Sequence, residues 1–173
     1  MLPKDVAALR AVAREYDGYE PVLLNATVAV NTRQRKQVIA KLQQELHTLK
    51  GKRIALLGLT FKPHTDDLRE APSLELASAL DQLGARTVGY DPVAGKKATT
   101  LSTNLQIDFD PYEALKGAHA AVLVTEWEEI RSLDLARAAA LMEPPALLVD
   151  GRNVLNPQEV RAAGLLYKGF GRS

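Results

Sequence analysis

With 173 residues, 46% hydrophobic and 25% charged, the chain has room for one globular domain and an appendage, and not for two large domains. A net charge of +1 without a dense Lys/Arg run excludes a general binder of nucleic-acid backbones. Cysteine is absent, which removes disulfides, thiolate metal sites and a thiol nucleophile together; no apolar run reaches the ~18 residues of a membrane span and MLPKDVAAL lacks the regions of a signal peptide, so a cytoplasmic, non-membrane protein is expected.

Pro3 to about Tyr16 reads as a short helix, with Pro3 in its first turn and apolar residues at Val6, Leu9, Ala13 and Tyr16. Gly18 and Pro21 break it. A second helical pattern runs from about Pro21 to Leu49 without an internal Gly or Pro and stops at Gly51, a rod about 40 Å long at about 1.5 Å per residue. So long a helix reads as a connector that offers a surface to another domain or to a second copy of the chain.

Strand and helix then alternate. Arg53 to Leu57 is a buried-type strand that breaks at Gly58. A polar loop from Thr60 to Glu70 leads to a helix from about Ala71 to Leu83, closed by Gly84, and Ala85 to Tyr90 is the next strand. Asp91-Pro92 stops it. Val93 to Asn104 reads as a polar loop with at most one helical turn, and Gln106 to Phe109 as a short strand. Asp110-Pro111-Tyr112-Glu113 has the residues of a helix start. Ala120 to Val124 is a buried strand, Trp127 to Met142 a helix, Ala146 to Asp150 another buried strand, Pro157 to Ala163 a helix and Leu165 to Tyr167 a last strand. Near-continuous apolar strands belong to a sheet covered on both faces. The expectation is an α/β protein: a Rossmann-like, doubly wound parallel sheet over residues 51–173, preceded by a helical segment, residues 1–50, with one long connecting helix.

In such a sheet the ligand sits beyond the carboxyl ends of the strands. The first strand ends Gly58-Leu59-Thr60-Phe61, without the further glycines of G-x-G-x-x-G, so an NAD pyrophosphate could not approach this backbone. An anionic ligand held by side chains fits better. Lys62 and Arg152 each lie just past a buried strand and suit phosphate oxygens, and Phe61 could flank a base or sugar. The alternative is that both cations are solvated loop charges paired with Asp66, Asp67 or Glu70. Those three carboxylates lack the spacing of a metal loop and read as ion pairs or helix N-terminal charges, and His47, His64 and His119 are scattered. No metal site is expected. Thr125-Glu126-Trp127 follows a strand and could line the same cleft. Ser102, Ser132 and Ser173 have no nucleophile setting.

Gly58-Leu-Thr-Phe-Lys-Pro63, Asp66-Asp67-Leu-Arg69-Glu70-Ala-Pro-Ser73, Tyr90-Asp91-Pro92, Thr125-Glu126-Trp127 and Asp150-Gly151-Arg152-Asn153 together resemble the C-terminal domain of the UDP-glucose 6-dehydrogenase family. The long helix around Val30 to Gln34 resembles that family's central helix, and Pro3-Lys4-Asp5-Val6 its C-x-P-K-D motif. The resemblance implies a UDP-glucose or UDP ligand, contacted by Phe61, Lys62 and Arg152. It implies NAD as cofactor, with Lys4 and Arg69 near it, Asp5 as the carboxylate of proton handling, and a homodimer formed through the long helix. It places the family's nucleophilic cysteine at Met1, whose thioether cannot form a thioester. The resemblance thus implies the C-terminal half of such an enzyme, inactive without the NAD-binding half. A UDP-N-acetylhexosamine dehydrogenase and a non-catalytic dimerising protein with a vestigial cleft are the alternatives.

Overall fold

Along the first strand, β1 (Arg53–Leu57), successive side chains leave on opposite sides of the pleat, so Ile54 and Leu56 join one core while Ala55 and Leu57 join the other. The same division holds in β4 (Ala120–Leu123), β5 (Leu147–Asp150) and β6 (Leu166–Gly169), whereas β2 (Arg86–Tyr90) sends Val88 and Tyr90 to the second core and β3 (Leu105–Asp108) sends Leu105 and Ile107 to the first. The computed structural model describes residues 3–16, 18–69, 71–101 and 105–172. Among these residues the six strands form one sheet in the order β3-β2-β1-β4-β5-β6, every pair parallel. This is the doubly wound Rossmann arrangement read from the sequence, and its winding reverses between β1 and β4.

The helices are α1 (Pro3–Glu15), α2 (Val22–Leu46), α3 (Pro72–Gln82), α4 (Gly95–Leu101), α5 (Pro111–Leu115), α6 (Glu128–Arg131), α7 (Leu135–Leu141) and α8 (Pro157–Ala162). The chain divides into two compact units, residues 1–37 and 38–173. In the first, Arg10 Nε donates to Asn25 Oδ1 at 2.6 Å, and Leu9, Val12, Tyr16, Tyr19, Val22 and Leu23 are exposed. In the second, Val38, Leu42 and Leu46, spaced i, i+4, i+8 on one face of α2, enter the core with Leu49. Lys168 Nζ reaches Glu45 at 2.9 Å, fastening that end of α2 to β6.

Three elements differ from the sequence expectation. The long helix ends at Leu46, not Leu49. His47, with φ 60°, takes the left-handed position at its end, and Gly51 serves a later turn in which its N–H donates to Gly84 O at 2.8 Å. The segment read as a loop after Asp91 contains α4, because Asp91 Oδ1 accepts from Val93 N and Ala94 N and Ala94 and Ala98 pack into the core. The single helix expected from Trp127 to Met142 is two, α6 and α7. The Asp134 carboxylate accepts from Arg137 N at 3.0 Å and starts α7 afresh, a local side-chain bond that competes with continuation. The Asp110 cap does form, accepting from Tyr112 N and Glu113 N.

Candidate functional site

The sheet register sets the site. Leu57 of β1 pairs with Leu123 of β4, and Leu123 with Asp150 of β5, so the loops that follow these strands emerge side by side at the carboxyl edge. They touch closely. A Cβ on Gly58, at φ 83°, would stand 2.6 Å from the Thr125 backbone oxygen, and one on Gly151 would stand 2.6 Å from Leu123 O. These two glycines let the three loops pack against one another.

Two buried carboxylates organise this edge. Asp91, at the end of β2, accepts on Oδ2 from Leu59 N (2.8 Å), Thr60 N (3.1 Å), Thr60 Oγ1 (3.2 Å) and Trp127 Nε1 (3.1 Å), in addition to its bonds to Val93 and Ala94 on Oδ1. It fastens the β1 loop, the β4 loop and the start of α4 to one another. Ser73 Oγ donates to Leu59 O and Thr125 Oγ1 to Thr60 O, so the loop's carbonyls are engaged as well. Asp150, at the end of β5, accepts from Arg152 N at 3.0 Å, Leu155 N at 2.9 Å and Tyr167 Oη at 3.3 Å. Asn153, at φ 57°, exchanges two hydrogen bonds with the Phe170 backbone. Burial and the neighbouring Asp150 push the Tyr167 hydroxyl's pKa up, which keeps it protonated as a donor.

On this frame Arg152 spans the three loops. Its Nε donates to Val124 O at 2.7 Å, its Nη2 reaches Phe61 O at 3.4 Å, and its Nε lies 3.0 Å from Glu126 Oε2. The structure therefore brings Phe61 and Arg152 together, with Lys62 next along the chain and exposed. Arg152 pairs with neither Asp66 nor Asp67; among the described residues its ionic partner is Glu126. Asp66 instead pairs with Lys97 at 2.9 Å and Asp67 with Arg69 at 2.8 Å. Hydrogen bonds from these partners hold both carboxyls below the usual carboxylate range. Arg69 is exposed. His64, at φ 61°, sets its ring edge-on to Trp127 with centroids 5.7 Å apart. Trp127 is buried and belongs to the core. Asp5 lies in the first turn of α1 in the other unit. Met1, Glu70, Ser102, Ser173 and the side chain of Lys4 lie outside the described residues.

Asp91 and Asp150 stand in motifs that carry the family resemblance, but the sequence alone assigns neither a role in the site. The available signal was that two buried strands end in the same way, in an aspartate followed by a turn residue.

Residues 55–157 match the UDP-binding domain model of the UDP-glucose/GDP-mannose dehydrogenase family. The chain belongs to that family. Among the family's members, the UDP-glucose 6-dehydrogenase of Rhizobium meliloti is 43% identical over 175 residues, covering 98% of this chain and 39% of that protein. The UDP-glucose 6-dehydrogenase TuaD of Bacillus subtilis is 36% identical over 171 residues, covering 98% and 37%. A solved UDP-glucose dehydrogenase from Pyrobaculum islandicum superimposes with a TM-score of 0.82 at 30% identity, over 96% of this chain and 36% of that one. The chain thus spans less than two fifths of the length of these relatives.

The family implies NAD, and the sheet unit does not offer the usual cradle for it. The β1 turn has the single glycine Gly58, and α3 begins only at Pro72. Asp91 occupies the strand-end position from which an acidic residue would bind the ribose, and its oxygens are taken up by loop N–H groups and the indole.

Proposed function

We propose that the chain holds the UDP end of UDP-glucose as part of an NAD-dependent UDP-glucose 6-dehydrogenase, the enzyme class that converts UDP-glucose to UDP-glucuronate. The observation that carries this reading is Arg152, which is held by backbone oxygens of two neighbouring loops at the carboxyl edge of the sheet with Lys62 on one of those loops. That is where an open α/β sheet binds its ligand, and a guanidinium fork with a lysine is the donor set a diphosphate requires. Phe61 flanks the base or sugar.

In the same reading Arg69 turns from Asp67 toward NAD, Lys4 also faces the cofactor, and Asp5 handles a proton in the hydrolytic half of the reaction. NAD is held by residues outside the sheet unit, α2 pairs two copies of the chain, and the protein works in the cytoplasm. The chain alone does not turn over substrate.

Calorimetric titration tests this. UDP and UDP-glucose bind the chain and NAD+ does not. Lys62→Ala weakens UDP about 10- to 100-fold, the size of a lost charge-assisted hydrogen bond. Binding of NAD+ alone, or UDP affinity unchanged in Lys62→Ala, overturns the assignment.

A further inference from the structure

We infer that Glu126 sets the charge preference of the site: it repels a phosphate held by Arg152 and so favours a nucleotide sugar over the free nucleoside diphosphate. This rests on the reading of Arg152 as a phosphate contact.

Three carboxylates other than the buried strand-end pair lie along these loops in the described residues, and two of them are engaged elsewhere, Asp66 with Lys97 and Asp67 with Arg69. Glu126 is the one whose ionic partner is the proposed phosphate ligand itself, at 3.0 Å from Nε. The pairing is of an unusual kind. Arg152 Nε gives its hydrogen bond to Val124 O, and Glu126 Oε2 is shielded from solvent yet receives no aligned hydrogen bond. Charge attraction alone joins the two groups, whose side chains are each 35% exposed. Among the described residues the outer edge of the guanidinium carries only the long 3.4 Å contact to Phe61 O, so it is the edge a phosphate can take.

A phosphate that takes that edge comes within several ångströms of the Glu126 carboxylate, and the repulsion grows with the phosphate's charge. In a nucleotide sugar both phosphates are esterified, each with about one negative charge. In a free diphosphate the terminal phosphate ionises again near pH 6 and adds most of another. Glu126 therefore penalises the free nucleotide more, and so does not raise affinity for either. Its effect is discrimination, produced by repulsion rather than by a new contact.

The test is titration of the chain and its Glu126→Gln and Glu126→Gln/Arg152→Ala variants with uridine, UDP and UDP-glucose at one ionic strength. Glutamine keeps the shape and removes the charge. Glu126→Gln binds UDP roughly tenfold tighter and UDP-glucose roughly threefold tighter, leaves uridine unchanged, and loses both gains when Arg152 is also alanine. Weaker UDP binding by Glu126→Gln would make Glu126 an orienting partner of Arg152 and overturn the inference. An equal shift for all three ligands would overturn it as a structural effect. If the parent chain binds UDP and the UDP to UDP-glucose ratio does not move, the inference falls and the proposed function stands. If no variant binds any of the ligands, both fall.

Discussion

Asp91→Asn is the perturbation that reads the frame of the site most directly. The carboxylate takes four hydrogen bonds on Oδ2 and two on Oδ1, from Leu59, Thr60, Trp127, Val93 and Ala94. Asparagine fills the same volume but has one acceptor oxygen, so its NH2 must face one of the two donor sets. The less costly choice puts the carbonyl toward Leu59, Thr60 and Trp127 and the NH2 toward Val93 N and Ala94 N. Ala94 is fully buried, so its N–H loses its acceptor at about 1–3 kcal/mol, and Val93, half exposed, loses less, about 2–4 kcal/mol together. That is a large part of the about 5–15 kcal/mol that holds a domain together. Urea unfolding followed by tryptophan fluorescence is the assay, since Trp127 is the chain's one tryptophan and sits in the network. Asp91→Asn lowers the midpoint with an unchanged slope. A loss under about 0.5 kcal/mol would mean that these bonds exchange for water at little cost, and the argument that Asp91 fixes the site loops would fail.

Two further outcomes follow from the core and from His119. Leu42→Ala, at a fully buried position of α2, costs about 2–5 kcal/mol in urea unfolding, whereas Leu23→Ala, 83% exposed on the same helix, changes the chain's stability by about 0.5 kcal/mol or less. Equal effects would refute the assignment of only the last turns of α2 to the sheet core. Burial, with Lys52 nearby, pushes the His119 pKa below its ordinary 6.5, so the unfolded chain binds this proton more readily than the folded one. Stability therefore falls as pH drops below 6.5 toward the lower folded value, and His119→Asn flattens that decline. A decline of the same steepness in His119→Asn, measured by thermal melting across that range, would show that other groups carry it.

The sheet was legible because its signals are local and redundant. Ile54 to Leu57, Ala120 to Leu123 and Leu147 to Val149 are short apolar runs bounded by turn residues, the usual pattern of a strand buried on both faces. Where the reading missed, a side chain had replaced a backbone signal. His47 ends α2 in a conformation that glycine usually supplies, Asp134 restarts a helix within an unbroken apolar pattern, and Asp91 starts α4 from outside it. The places of Lys62 and Arg152, past the ends of buried strands, were legible. Their partners were not. That Arg152 would meet Glu126 and two carbonyls, and not Asp66 or Asp67, depends on the register of β1, β4 and β5, which the sequence pattern does not contain.

The most direct test of the UDP-site reading is the backbone-amide NMR spectrum of the chain recorded with increasing UDP. Binding at the carboxyl edge shifts the amides of Phe61, Lys62, Glu126 and Arg152 in one fast or slow process and leaves α8 and α1 unmoved. Shifts confined to another face, or a response to NAD+ in place of UDP, would contradict it.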